Sequence, residues 1–339
     1  MGILGNSVSV TRFNAAGPAE GPDFEAISFR AIEPGSEVRE RMGVVPFELD
    51  SPYEVAQGRY AFRVRIDRRR PDPTAVRERL RELIKTEIET TGAPFVGPKK
   101  RKQLKELAES ELVSREAPRS KIVECVLDGG LLYVASTAKT VLGTVLTLLR
   151  QAEVAADYKA PWLDEAPEVD EMSDIVVPKE PGQSVLGCRF LKLLLEDQEV
   201  MVEPEAGSVR LATREAKVNL TGGVLAELFR YVEEGAEILS AKLFIGQVPL
   251  RFDALSWRLN GLKLEALKNE HWTMDLDQRL EQLAGVYDLL DAKYAALKHR
   301  LGEVGAVPVP AQIDQVDQVD QVETAPPVSP APESEAVPA

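Results

Sequence analysis

The sequence predicts an α+β protein in which mixed antiparallel sheets are combined with long helices, and three observations carry that reading. Residues 59–66 alternate strictly, with Tyr60, Phe62, Val64 and Ile66 on one side and Arg59, Ala61, Arg63 and Arg65 on the other, the period of a half-buried strand. Two apolar runs, Ile122–Leu127 and Leu131–Ala135, are joined by Asp128-Gly129-Gly130, a tight hairpin signal. Leu276, Leu280, Leu283, Tyr287, Leu290, Tyr294, Leu297 and Leu301 follow a 4-3 spacing, the apolar seam of a long helix.

The elements divide into four stretches. Residues 1–152 form an N-terminal α+β region with basic helices. Val8–Phe13 and Ile27–Phe29 are short apolar runs between turn signals and are predicted as strands. The strand at 59–66 turns one face to the core, and its other face carries three arginines and leads into Arg68-Arg69-Arg70, a cationic sheet face. Asp72-Pro73-Thr74 opens a helix with Val76, Leu80, Leu83, Ile84 and Ile88 as its core stripe. Arg77, Arg81 and Lys85 flank that stripe, where Glu78 and Glu82, pairing three residues on, are expected to neutralise the ridge. Thr90–Gly97 breaks the helix, and Pro98 opens a second one, with Leu104, Leu107, Ala108 and Leu112 apolar. The hairpin follows, then a third helix from about Thr137 to Gln151.

Residues 153–182 hold nine carboxylates against two lysines and several prolines, and are predicted as an acidic linker or extended surface segment. Residues 183–302 form a second α+β region. Val185–Leu195 and Val218–Leu220 are predicted as strand material, Gly223–Glu233 as a helix, and Ala236–Ile245 and Gln247–Leu259 as strands. In the heptad-patterned helix that ends this region, Asp275 is the expected cap with Gln278 three residues on, and Gly302 the stop. So narrow a seam suits one partner helix, in the same chain or in a second copy. Residues 303–339, with a triple Asp-Gln-Val repeat and seven acidic but no basic residues, are expected to be a disordered acidic tail. Such a tail could compete weakly with nucleic acid for a basic surface.

Charge is distributed unevenly. From Arg59 to Lys121 there are eighteen Lys or Arg against ten Asp or Glu, on a chain whose formal net charge is −14. A basic block on an acidic body marks a surface built for a polyanion. Its centre is Lys99, Lys100, Arg101 and Lys102, with Lys105, Arg115, Arg119 and Lys121 beyond. Pro98 places the four consecutive cations in a first helical turn, where free N–H groups already carry partial positive charge. Cations there cost about 0.3–1 kcal/mol each when exposed, a cost that an external anion offsets.

Catalytic signatures are missing from the pattern. The two histidines, His271 and His299, neighbour no nucleophile in sequence, Thr137-Ala-Lys139-Thr140 lacks the upstream glycines of a phosphate loop, and no His or Cys spacing fits zinc. The expectation is therefore a non-enzyme without cofactor or metal. Cys125 and Cys188 read as buried free thiols of a reducing cytoplasm. No run of eighteen apolar residues predicts a membrane span, the N-terminus lacks the pattern of a secretion signal, and Asn6 stands where a myristoylation motif needs Ser or Thr.

The order of features resembles the RdgC family of recombination-associated proteins. The resemblance is carried by Ser28-Phe29 through Arg41-Met-Gly-Val-Val-Pro46, by Pro71-Asp-Pro73 running into a long helix, and by the Lys/Arg-rich second helix. It continues through Ala117-Pro118-Arg119, Asp128-Gly-Gly-Leu-Leu-Tyr-Val134 and a helix ending Leu148-Leu149-Arg150. It spans residues 25–152 best and 183–301 more weakly. It implies a bacterial, cytoplasmic and nucleoid-associated protein that binds double-stranded DNA without marked sequence preference and restrains RecA-driven strand exchange. It also implies a ring-shaped homodimer whose positively charged hole encircles duplex DNA, with Lys99, Lys100, Arg101, Lys102, Lys105 and Arg119 at positions where the family places cations near the hole. The acidic tail and an N-terminus with fewer aromatics depart from the family pattern.

Independently of that likeness, clustered Lys and Arg with only Tyr60, Phe62 and Phe95 nearby favour phosphate contact over base stacking. The alternative expectation is a non-catalytic protein-interaction module whose basic helix docks an acidic partner.

Overall fold

The computed structural model describes residues 2–165, 173–202, 207–222, 225–245 and 247–302. In chain order the strands are β1 (Ser7–Ala16), β2 (Glu40–Pro46), β3 (Glu54–Ala56), β4 (Arg59–Arg68), β5 (Arg119–Asp128), β6 (Leu131–Val134), β7 (Ala155–Tyr158), β8 (Val200–Val202), β9 (Ser208–Ala212), β10 (Lys217–Thr221), β11 (Glu237–Ile245), β12 (Val248–Asp253) and β13 (Arg258–Lys263). The helices are α1 (Pro73–Thr91), α2 (Pro98–Val113), α3 (Lys139–Gln151), α4 (Pro161–Asp164), α5 (Val185–Leu194), α6 (Leu225–Glu233) and α7 (Trp272–Leu297). The fold is thus α+β with one large sheet, ordered β10-β9-β11-β12-β13-β1-β6-β5-β4-β2, and every strand pair in it is antiparallel.

Strand β1 joins the two halves of that sheet. Ser7–Val10 pairs with β13, and Thr11–Asn14 pairs with β6, with a bulge between Val8 and Val10. Past the bulge, Phe13–Ala16 pairs with β7 on the other side. The expected regions 1–152 and 183–302 therefore share a strand, and the described residues fall in one compact unit.

Two main cores follow. One packs α5 and α7 with β9, β11, β12 and β13, and draws in Val8 and Val10 of β1. The other packs α3 through Val141, Leu142, Val145 and Leu148 on Phe62, Val64, Val123 and Cys125. The hairpin between β5 and β6 is as predicted: Asp128 pairs with Leu131, and Gly129 and Gly130 both have positive φ (55° and 81°), the geometry that demands glycine.

Several expectations are corrected. Val185–Leu194 is a helix, not a strand, capped by the Ser184 hydroxyl accepting from the Leu186 N–H at 3.1 Å. All ten of its residues are buried, Arg189 and Lys192 included, so no exposed face sets it apart, and periodicity does not separate such a helix from a buried strand. Ile27–Phe29 is no strand but a single bridge of Ser28 to Val44. The described parts of the acidic segment, 153–165 and 173–182, pack on the body: β7 extends the sheet, Trp162 is buried between Trp257 and Tyr294, and Glu180 pairs with Arg258.

Helix α7 starts at Trp272 with His271 as N-cap, so Asp275 lies inside the first turn, where it accepts from the Asn269 amide and side chain. Its seam packs within this chain, against α4, α5 and the sheet rather than a single helix, and the Tyr287 hydroxyl donates to the Val10 carbonyl at 3.2 Å. The expected disordered tail at 303–339 lies outside the described residues, and no described helix is long and apolar enough to cross a membrane.

Candidate nucleic-acid interface

Helices α1 and α2 form an antiparallel hairpin. Asp72 caps α1 by accepting from the Thr74 N–H at 3.1 Å, and Gly92 ends it in the left-handed region. Helix α2 opens at Gly97-Pro98 with no side-chain cap and no acidic residue in its first turn. Arg79 reaches Glu111 at 2.7 Å, and Lys100 reaches Glu87 at 3.1 Å, which fixes the pairing direction. At 1.5 Å rise per residue, the first turn of α2 stands roughly 20 Å along the hairpin from its base at Pro73.

The eight predicted residues therefore separate. Lys99, Lys100, Arg101, Lys102 and Lys105 cluster at the far end of the hairpin, beside a Phe95 that is 73% exposed. Arg115, Arg119 and Lys121 lie at its base. At the tip, Lys100 is committed to Glu87 and Lys105 to Glu109, whereas Lys99, Arg101 and Lys102 make no ion pair with a described residue. The flanking ridge is not neutralised as expected. Glu82 turns to Arg79 at 2.9 Å, Arg77 and Arg81 pair with no described carboxylate, and only Lys85 has a partner, Glu89 at 3.9 Å. Hydrogen bonding from Arg79 holds the Glu111 carboxyl below its ordinary range.

At the base, sheet register builds a second cationic site. Arg68 of β4 lies directly opposite Arg119 of β5, and Ile66 opposite Lys121. Like charges facing each other across strands are destabilising, so this arrangement is not explained by the fold's own stability. The chain continues to Arg70, and the side chains of Arg68, Arg70, Arg119 and Lys121 line a groove of about 330 Å³, closed on one side by Thr140 and Thr144 of α3. One carboxylate, Glu40, compensates Arg68 at 2.8 Å, while Arg70, Arg119 and Lys121 have no ion pair with a described residue. The first turn of α3 carries no acidic residue and no side-chain cap. The Arg68-Arg69-Arg70 run thus splits by role, because Arg69 is buried and donates to the carbonyls of Ser36 and Glu33, anchoring a loop.

The expected cationic face of β4 is corrected. Arg59 pairs with Asp128 at 3.0 Å and with Asp277 of α7. Arg63 pairs with Glu48 and Glu124, both at 3.1 Å, and lies over the Phe47 ring. Arg65 pairs with Asp67 at 2.9 Å and lies over Phe29. Burial pushes the Asp67 carboxyl up, but hydrogen bonds from Arg65 and Ser120 outweigh it and hold it below its ordinary range. These three arginines hold the fold together and are not free for a ligand.

Sequence reasoning missed Arg68, Arg70, Thr140 and Thr144 as site residues. Strand parity was the usable signal for Arg68, which shares a face with Ile66, but the opposition of Arg119 depends on a register that the sequence does not display. Among the described residues no group of three or more His, Cys, Asp or Glu could hold a metal ion. Both cysteines are free and buried, and burial pushes their thiols well above the ordinary range. No family model matches the chain, and no curated protein matches it either.

Proposed function

We propose that the protein binds double-stranded DNA through its phosphates, without reading sequence, and that it modulates recombination by restraining RecA-dependent strand exchange. The observation that carries the DNA reading is the groove of Arg68, Arg70, Arg119 and Lys121, where two cations are held face to face and three lack a carboxylate. Phosphate oxygens would relieve that repulsion, and the Thr140 side chain supplies a hydroxyl beside them, whereas the Thr144 hydroxyl donates to the Thr140 carbonyl. Lys99, Arg101 and Lys102, at the far end of the hairpin, would extend the contact along the duplex. The nucleoid association, the RecA antagonism and a ring-shaped homodimer rest on the resemblance to the RdgC family. The alternative, a module that docks an acidic protein, draws on Phe95, because an exposed aromatic beside free cations suits a protein partner as well.

The test is fluorescence anisotropy of a random-sequence duplex at about 50 and 200 mM salt, the range over which phosphate-driven affinity weakens most visibly. The parent is compared with Arg70/Arg119/Lys121→Glu and with Lys99/Lys100/Arg101/Lys102→Glu. Affinity is expected to fall steeply with salt in the parent, and the slope to be shallower by about 0.9 for each phosphate that a variant no longer neutralises. Absence of binding at low salt would sink the DNA reading. Loss in the tip variant alone would move the interface to the far end of the hairpin.

A further inference from the structure

A cavity of about 440 Å³ lies on the other half of the sheet, away from the basic groove's strands. Its floor is a transverse row: Arg210 of β9 lies opposite Ser240 of β11, and Ser240 lies opposite Asp253 of β12. Lys217 of β10 and Lys179 stand at its sides. Its apolar wall is the smallest of the three cores, with Val176, Ala212 and Leu239 buried and Leu255 partly so. Val177, 69% exposed, extends that wall toward solvent.

Most of the charges in this cavity make no ion pair with a described residue. Asp253 makes no ion pair with a described residue, although Arg258 lies directly opposite it in the β12–β13 pair. Arg258 turns instead to Glu180 at 2.9 Å and to the Thr137 carbonyl at 3.2 Å. Glu180, the cavity's other carboxylate, is taken by Arg258 and by Lys139 at 3.9 Å. Arg210, Lys217 and Lys179 have no ion pair with a described residue. One carboxylate and a set of cations thus face the same space without an ion pair between them, although Arg258 and Arg210 act on Asp253 through space and the Ser256 backbone donates to it. A half-buried charge left without a partner is costly, and a ligand carrying the opposite charge offsets the cost.

We infer that this cavity binds a free aliphatic α-amino acid. Its ammonium group would meet Asp253, its carboxylate Arg210 and Lys217, and its side chain the wall of Val176, Leu239 and Leu255. The volume is at the lower end of small-molecule sites, and an apolar wall with few placed polar groups is their usual make-up. Ser240 and Ser256 offer hydroxyls for the remaining hydrogen bonds, and the Gln183 side chain is held in place by donating to the Ser256 hydroxyl at 3.0 Å. The cavity has no aromatic residue in its lining, which disfavours a nucleobase.

Isothermal titration calorimetry of the full chain with L-leucine tests this, beside 4-methylpentanoate, which lacks the amine, and 3-methylbutylamine, which lacks the carboxylate. Leucine is expected to bind at least about tenfold more tightly than either analogue, the equivalent of about 1.4 kcal/mol for each charged group removed. Asp253→Asn is expected to erase the preference for leucine over 4-methylpentanoate. Arg210→Ala, at an exposed position that leaves the sheet intact, is expected to erase the preference over 3-methylbutylamine. A silent titration with leucine to about 10 mM, well above a millimolar constant, overturns the inference. So does equal binding of leucine and 4-methylpentanoate, or an affinity unchanged in Arg210→Ala.

Discussion

A β-carbon added at position 187 would stand 1.9 Å from the Ala254 carbonyl oxygen and 2.9 Å from the Trp162 ring. Helix α5 can lie this close to the β12–β13 turn only because residue 187 has no side chain. Gly187→Ala is therefore expected to cost at least about 1–3 kcal/mol through overpacking, read as a lower midpoint in urea. Asp253 sets up the opposite outcome. Burial pushes its carboxyl above the ordinary range, with Arg258 pulling back. An acid raised on folding contributes full stability below the unfolded value, near pH 4, and loses it as the pH climbs through the raised value. Asp253→Asn should then melt above the parent at neutral pH, with the gap closing as the pH falls toward about 4. A variant that melts lower at pH 7 would show that the carboxylate is already compensated. At this scale the sequence was a partial guide. It displayed Arg59, Arg63 and Arg65 on one strand face; Arg65 finds Asp67 two residues on, but Asp128 and Asp277, which hold Arg59, and Glu48 and Glu124, which hold Arg63, come from other segments, so those paired arginines look free in the chain.

Among the elements, those with a face were legible and those without were not. Helix α1 announces itself by Asp72-Pro73 and an apolar stripe, β4 by strict alternation, and α7 by its seam, and each is present where its pattern lies. Helix α5 is covered on all sides, Arg189 and Lys192 included, so no exposed polar face marks it as a helix. Strand β7 hides among carboxylates, since its pairing with Phe13–Ala16 needs only Ala156 to turn inward. The two basic sites show the same division. The lysine run of α2 is visible in sequence because it is contiguous, whereas the groove at the hairpin base is assembled from β4, β5 and α3 by register.

At the scale of the whole molecule, the described residues are expected to unfold as one cooperative body, because β1 belongs to both halves of the sheet. Contacts of α7 with the N-terminal half reinforce this: Arg12 pairs with Asp291 at 2.6 Å, and Arg59 with Asp277. A chain cut between residues 182 and 183 is thus expected to give two fragments that do not fold separately. Residues 183–302 alone lack β1 at the edge of β13 and the Val10 carbonyl that receives Tyr287. Dispersed amide resonances from the isolated 183–302 fragment would contradict this, as would two separate thermal transitions in the intact chain.

Strand β1 also sets a timetable for the growing polypeptide. Its second half finds β6 once residue 134 has left the ribosome, but Ser7 must wait for Lys263. At translation speeds of about 5–20 residues per second, that wait lasts roughly 13–50 s, during which Val8 and Val10 have no partner strand. The N-terminal segment is therefore completed in two instalments, the later one postponed until more than three quarters of the 339-residue chain has been made. A nascent protein of this design exposes an apolar β-strand for most of its birth, and that interval is when chaperones would find it.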